Sequence, residues 1–174
     1  MKHALAATLI LSSLLAATPA VTEAQPAVFR DGLLDLPQGI VVSDGDDRYY
    51  SDIRLRSEPN GSLRIVSAQE RRLIALQELE LDQIYGDEPA VSLLINGYKS
   101  MPCVELLPVS VRRIDNVFHV LVAEGSPDPL ALCAQVLTPV TVTVDLDVSG
   151  LPDGDYVALI NNEPMEFTLE DLEE

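Results

Sequence analysis

One stretch fixes most of what this chain can become. Val140, Val142, Val144, Leu146 and Val148 alternate with Thr141, Thr143, Asp145 and Asp147. A helix would scatter those five aliphatic side chains around its surface, whereas an extended strand gathers them on one face. The segment therefore predicts a long strand with core on one side and water on the other.

The same signal recurs along the chain. Arg48 to Arg56 alternates, with Tyr49, Ser51, Ile53 and Leu55 on one face. Glu58-Pro59-Asn60-Gly61 follows, and Asn-Gly marks a tight turn, so Ser62 to Ser67 predicts the returning strand. With Leu34–Pro37 and Gly39–Val42 ahead of it, this region predicts a small β-meander. Further strands are expected over Ala90–Ile95, ended by Asn96-Gly97, over Val104–Arg113, and over Val117–Ala123 beyond an Asp115-Asn116 turn. Gly125–Pro129 breaks the chain, and Tyr156–Ile160 and Met165–Leu169 complete the series. Gln69–Tyr85 stays open between strand and short helix: Leu73, Leu76 and Leu79 have helical spacing, yet Leu79 and Leu81 alternate with acids. Short strands divided by Pro/Gly turns point to an all-β antiparallel sandwich preceded by a meander.

The N-terminus reads as an address. Met1-Lys2-His3 is positive, Ala4–Ala17 is apolar apart from Thr8, Ser12 and Ser13, and Thr18-Pro19-Ala20 supplies small residues for cleavage. That is the layout of a secretory signal peptide, cut after Ala20 or Ala24, and the run is short of the ~20 residues a membrane span needs. The expected organisation is signal peptide over 1–24, meander and linker over 25–86, and sandwich over 87–174. The mature protein is expected to be soluble and exported, to the periplasm or beyond the cell, with no membrane insertion after cleavage.

Export makes the cysteines legible. Cys103 and Cys133 are the only two, and an oxidising compartment favours joining them. Closing a loop of about 30 residues contributes roughly 3 kcal/mol on the chain-entropy account. Two thiols without a neighbouring His make a poor zinc site, and the spacing is not that of a redox pair. Composition excludes further classes. A net charge of -17 at a pI near 4.2 repels phosphate backbones and anionic membrane surfaces. The absence of Trp and the 5% aromatic content leave little for stacking sugars. The acidity serves solubility, with cation binding or a basic partner as the alternative.

The run Cys103…Pro108-Val109…Val117-Phe118-His119-Val120…Pro127-Asp128…Cys133…Val144-Asp145-Leu146…Gly150-Leu151-Pro152-Asp153-Gly154-Asp155-Tyr156…Asn161…Phe167 resembles a bacterial Ig-like exported domain. In that group the second Cys precedes a long strand and a GLPxGxY turn leads into a final hairpin. The resemblance implies an Ig-like sandwich in an exported protein and implies no chemistry. Asn161-Asn162 stands where Asn-Gly is more usual, which suggests a longer final hairpin. The meander, Leu34 to Ser67, is similar to a strand–turn–strand segment of bacterial exported proteins.

No catalytic residue is expected. His119, the one histidine outside the signal, lies mid-strand on the face of Val117 and Leu121, as a packing residue does. No G-x-S-x-G, phosphate loop or H-E-x-x-H accompanies it. No cofactor is implied beyond calcium, for which Asp44, Asp46, Asp47 and Asp52 offer hard oxygens without an EF-hand continuation. A solvated acidic turn is the plainer reading. Tyr49, Tyr50, Tyr98 and Lys99 are candidate partner contacts, and alternation sends one of Tyr49 and Tyr50 to the core and the other to solvent. The expected role is protein–protein interaction with an envelope or secreted protein, or structural support, without catalysis or nucleic acid. A small secreted inhibitor with a disulfide-braced loop is the alternative, and a hydrolase using His119 ranks last.

Overall fold

The computed structural model describes residues 26–43, 46–85, 89–130 and 132–170. The expected signal peptide lies outside them. The described residues form eleven strands and no helix. Strands β1 (Val28–Arg30), β2 (Leu33–Val41), β3 (Arg48–Ser57) and β4 (Leu63–Arg71) pair in sequence order as an antiparallel meander. The sandwich follows as two further sheets. One holds β5 (Ala75–Ile84), β6 (Ala90–Lys99) and β9 (Thr138–Leu146) in the order β5-β6-β9. The other runs β11-β10-β8-β7, from β7 (Ser110–Ile114), β8 (Val117–Leu121), β10 (Gly154–Ile160) and β11 (Glu163–Leu169).

The all-β sandwich after a meander is as the alternation predicts, and Val144, Leu146 and Val148 are buried while Thr141, Thr143 and Asp145 face water. The core between the two sheets joins Val91, Leu93 and Ile95 of β6 to Phe118, Val120, Tyr156, Ala158, Ile160, Phe167 and Leu169. At its centre Tyr156 and Phe167 stack at 5.6 Å, and Phe118 sits tilted 6.0 Å from Phe167. The Tyr156 hydroxyl is satisfied by donating to the Pro152 carbonyl at 2.8 Å.

Several local expectations need correction. Asn96-Gly97 is not a turn: β6 runs straight through it. A Cβ at Gly97 would stand 2.5 Å from the Ala75 carbonyl oxygen, so the glycine there serves close approach of β5. The run Val104–Arg113 becomes strand only from Ser110, where β7 begins, and β7 ends one residue beyond it at Ile114. Residues 105–107 instead lie beside the end of β8, held by Leu107 N–H to the Ala123 carbonyl and Gly125 N–H to the Glu105 carbonyl. Pro108 lacks the donor a regular ladder needs. Within Gln69–Tyr85 the strand reading holds from Ala75, with Leu79 and Leu81 half-buried and Glu78, Glu80 and Asp82 exposed. β5 pairs with β6 from Ala75↔Tyr98 to Ile84↔Ala90.

One neighbouring pair is parallel. β10 lies antiparallel to β11 but parallel to β8, in the register Ala158↔Phe118 and Ile160↔Val120. Between β8 and β10 the chain crosses to the other sheet as β9, and that crossover makes a parallel return available.

The last hairpin is shorter than the Asn161-Asn162 pair suggested. Ile160 pairs with Glu163, leaving a two-residue loop with φ of 45° at Asn161 and 74° at Asn162. Two successive positive φ values describe a type I′ turn, which asparagine tolerates better than other non-glycine residues. The two side chains then tie the turn to the rest of the molecule. Asn161 Oδ1 accepts from Val122 N–H at 2.8 Å, and its Nδ2 donates to the carbonyls of Val122 and Ile74. Asn162 Oδ1 accepts from Asp47 N–H at 2.8 Å, reaching the meander. Asn161→Gly keeps the backbone conformation and deletes only the side-chain bonds. We expect a loss of about 2–3 kcal/mol in urea unfolding, from buried backbone groups left unpaired; a loss below ~0.5 kcal/mol would show that the Asn161 bonds hold nothing.

Candidate functional site

The meander meets the sandwich over β8. Phe118 and Val120 point into the sandwich core. On the opposite face Leu121, with Ala123 beyond the strand, packs against Tyr49, Ile40, Leu73 and Leu107. His119 shares that second face and is 8% exposed. Its Nδ1 lies 2.5 Å from Asp47 Oδ2, and Asp47 Oδ1 accepts from Ser43 N–H at 3.1 Å. A neutral imidazole meets this carboxylate by carrying its proton on Nδ1 and donating it. Among the described residues no hydroxyl or thiol is hydrogen-bonded to His119. The geometry is that of a polar joint between sheets: a carboxylate from the β2–β3 loop, an imidazole from β8 and an amide from the β10–β11 turn.

The acidic residues proposed for calcium are drawn apart. Asp46 pairs with Arg48 on the surface. Asp47 is wholly buried and engaged by His119. Asp52, at a bulge with φ of 52°, accepts from Ser51 Oγ at 2.8 Å and from Arg71 at 2.7 Å. Asp44 lies outside the described residues. Among those described, no three ligating side chains gather, because Asp46, Asp47 and Asp52 already face different donors.

Of the candidate contacts, Tyr49 is corrected outright: it is fully buried, and its hydroxyl lies 2.7 Å from Gln38 Oε1 and 2.9 Å from the Pro108 carbonyl. Tyr50 takes the outward position and reaches Glu70 at 3.3 Å. Tyr98 is half-buried at the end of β6, and Lys99 is turned inward onto the carbonyls of Val104 and Pro102 at 2.5 and 3.1 Å. Glu124 escaped sequence reasoning. It is buried beside the Cys103 loop and accepts from the N–H and Oγ of Ser100 at 2.7 and 2.6 Å. In the sequence it reads as one more surface acid.

A cleft of about 660 Å³ lies between the meander and residues 105–108. Gln38, Tyr49, Ser51, Arg54 and Arg71 line it. Both guanidiniums are already met, Arg54 by Asp35 at 2.6 Å and Arg71 by Asp52. The cleft thus offers amides and hydroxyls beside two ion pairs, with the carboxylate of Glu105 on its other wall.

The more distinctive surface surrounds the disulfide. Cys103 and Cys133 are joined, their Cα atoms 6.0 Å apart, as the two-cysteine count predicts. Cys133 sits in an irregular segment leading to β9. Leu130 is 91% exposed, Leu132 wholly so, and Val136 and Leu137 each more than half.

Meander, joint and two facing sheets together define an all-β sandwich protein. Residues 93–170, from within β6 through β11, match the family model described as the ORF11 beta-sandwich domain, so the C-terminal half is similar to that domain. No curated protein and no solved structure matches the chain significantly.

Burial pushes the Tyr49 phenol up to about 12, with the charge of Arg71 pulling it the other way. A tyrosine in the unfolded chain ionises near 10. The native state therefore resists a proton loss that the unfolded state accepts, and stability is full below about pH 10 and falls as pH rises toward 12. We expect urea midpoints to decline over that interval, and the part due to Tyr49 to vanish in Tyr49→Phe. An unchanged alkaline decline in Tyr49→Phe would show that other groups govern it.

Proposed function

We propose that this is an exported, non-catalytic β-sandwich protein that works by binding another protein of the envelope or exterior, or by bracing one structurally. The observation that carries this reading is the aliphatic surface at Leu130, Leu132, Val136 and Leu137, held to the sandwich by the Cys103–Cys133 bond. Single exposed aliphatics are ordinary, but four on one short segment form the kind of apolar surface that marks an interaction site. The disulfide supports an oxidising compartment, and the apolar run after Met1-Lys2-His3 supports export. His119 bonded to a buried carboxylate supports a structural use of the one histidine of the mature chain.

The same braced segment also fits a small inhibitor that inserts a disulfide-held loop into an enzyme cleft. One experiment addresses both readings. The mature, oxidised protein is used as bait in envelope extract beside Cys103→Ser/Cys133→Ser and Leu130→Ser/Leu132→Ser baits. The expected result is a protein captured by the oxidised wild type and lost with either variant. If that protein is an enzyme whose activity falls on binding, the inhibitor reading stands. Equal capture by all three baits, or none by any, overturns the proposed surface.

A further inference from the structure

Among the described residues six strands stand at sheet edges, and five of them are short or broken in register. β1 has three residues and β7 five. The ladders of β4 and β5 are broken by register shifts. β11 has seven residues and carries Pro164. Short length, bulges and proline are the usual devices that keep an edge from recruiting another strand. β9 differs. It keeps nine consecutive partners on β6 without a shift, from Thr138↔Lys99 to Leu146↔Val91.

Pro139 sets the parity of this edge. It has no N–H, so it belongs to a non-hydrogen-bonded pair with Tyr98, and its backbone faces away from β6. Thr141, Thr143 and Asp145 follow at steps of two and turn their N–H and C=O groups outward with it. Among the described residues, no backbone bond beyond the β6 ladder involves residues 139–146. On the core side, Val140 and Val142 are only half-buried, as they stand at the open rim of the sandwich.

The charge around this edge is predominantly negative, with Lys99, opposite Thr138, the one cation on the neighbouring strand. Beyond Arg72 the only basic residues are Lys99, Arg112 and Arg113, so nearly all of the -17 belongs to the sandwich. The outward face of the β9 sheet carries Glu78, Glu80 and Asp82 on β5 and Asp145 on β9, and none of them makes an ion pair among the described residues.

We propose that β9 is a docking edge for an extended basic segment of a partner protein, added to the sheet as a further strand. Its backbone pairs with Thr141, Thr143 and Asp145, its apolar side chains cover Val140 and Val142, and its Lys or Arg side chains face Asp145 and the acidic sheet surface. A second copy of this chain fits less well, since it brings the same large negative charge to the contact. The inference rests on the interaction reading above and names the chemistry of the partner.

The probe is a short synthetic peptide alternating Lys and Val, titrated calorimetrically into the mature, oxidised protein, with a Glu/Val peptide of equal length as control. We expect the Lys/Val peptide alone to bind, and to weaken steeply with salt. Thr143→Pro removes an outward N–H and should weaken binding about tenfold or more, more than one lost hydrogen bond alone would give, because the ring also blocks the approaching strand. Thr143→Lys, a surface change, should do the same through repulsion if the proline variant fails to fold. Equal binding of both peptides, no binding, or binding indifferent to Thr143→Lys overturns the proposal. So does a wild type that is dimeric alone and becomes monomeric with Thr143→Lys, which would assign the edge to a second copy. Capture of a partner by the wild-type bait that persists with Thr143→Lys defeats the edge while leaving the interaction reading intact; absence of capture defeats that reading itself.

Discussion

Strand β8 has water on neither face, and the rest of the molecule is arranged around that. A strand buried on both sides must satisfy two cores with alternate residues. Phe118 and Val120 serve the sandwich, while His119 and Leu121 serve the meander. An alternating apolar–polar strand cannot do this, so Val117–Leu121 reads as a nearly continuous apolar run with one histidine in it. The histidine is tolerable because Asp47 descends from the β2–β3 loop to meet it. Each member of that pair makes the other's burial affordable, and removing either would leave an unmatched polar group under two sheets.

The fold was legible where one face of a strand is wet. β3 and β9 announce themselves by alternation, since solvent on one side keeps every second residue polar, whereas β5 also carries leucines at helical spacing. It was less legible where the chain is buried on both sides or carries turn residues for other reasons. Gly97 lies inside β6 because β5 passes too close for a Cβ, yet by sequence Asn-Gly means a hairpin. The Asp31-Gly32 turn closing β1 on β2 has positive φ at both residues, as an Asp-Gly pair permits, yet the expected meander began only at Leu34. Asn161-Asn162 adopts the same conformation with side chains that do a second job, one that no local pattern announces.

The candidate site was legible only in part, for a related reason. The disulfide is legible from the count of two cysteines alone. The division of labour among the aspartates is not, because Asp46, Asp47 and Asp52 look alike in sequence and differ only in what lies opposite them. One meets a surface arginine, one a histidine 72 residues away, and one the arginine at the end of β4. Tyr49 and Tyr50 were separable in principle, since alternation puts one inside, but which of them it is depends on the side from which β8 approaches.

The parallel seating of β10 beside β8 gives the chain an order of assembly. A protein threaded through a membrane or made on a ribosome presents its N-terminal end first. The meander and β8 can be in place early, yet β8 lacks one lateral neighbour until β9 has crossed over and β10 has come back. The turn that follows β10 then supplies the amides that hold Val122, Ile74 and Asp47. The closing hairpin therefore acts as a latch applied from the C-terminal end. Until it arrives the nascent molecule keeps an open seam beside β8, and that interval is when a chaperone would have most to cover.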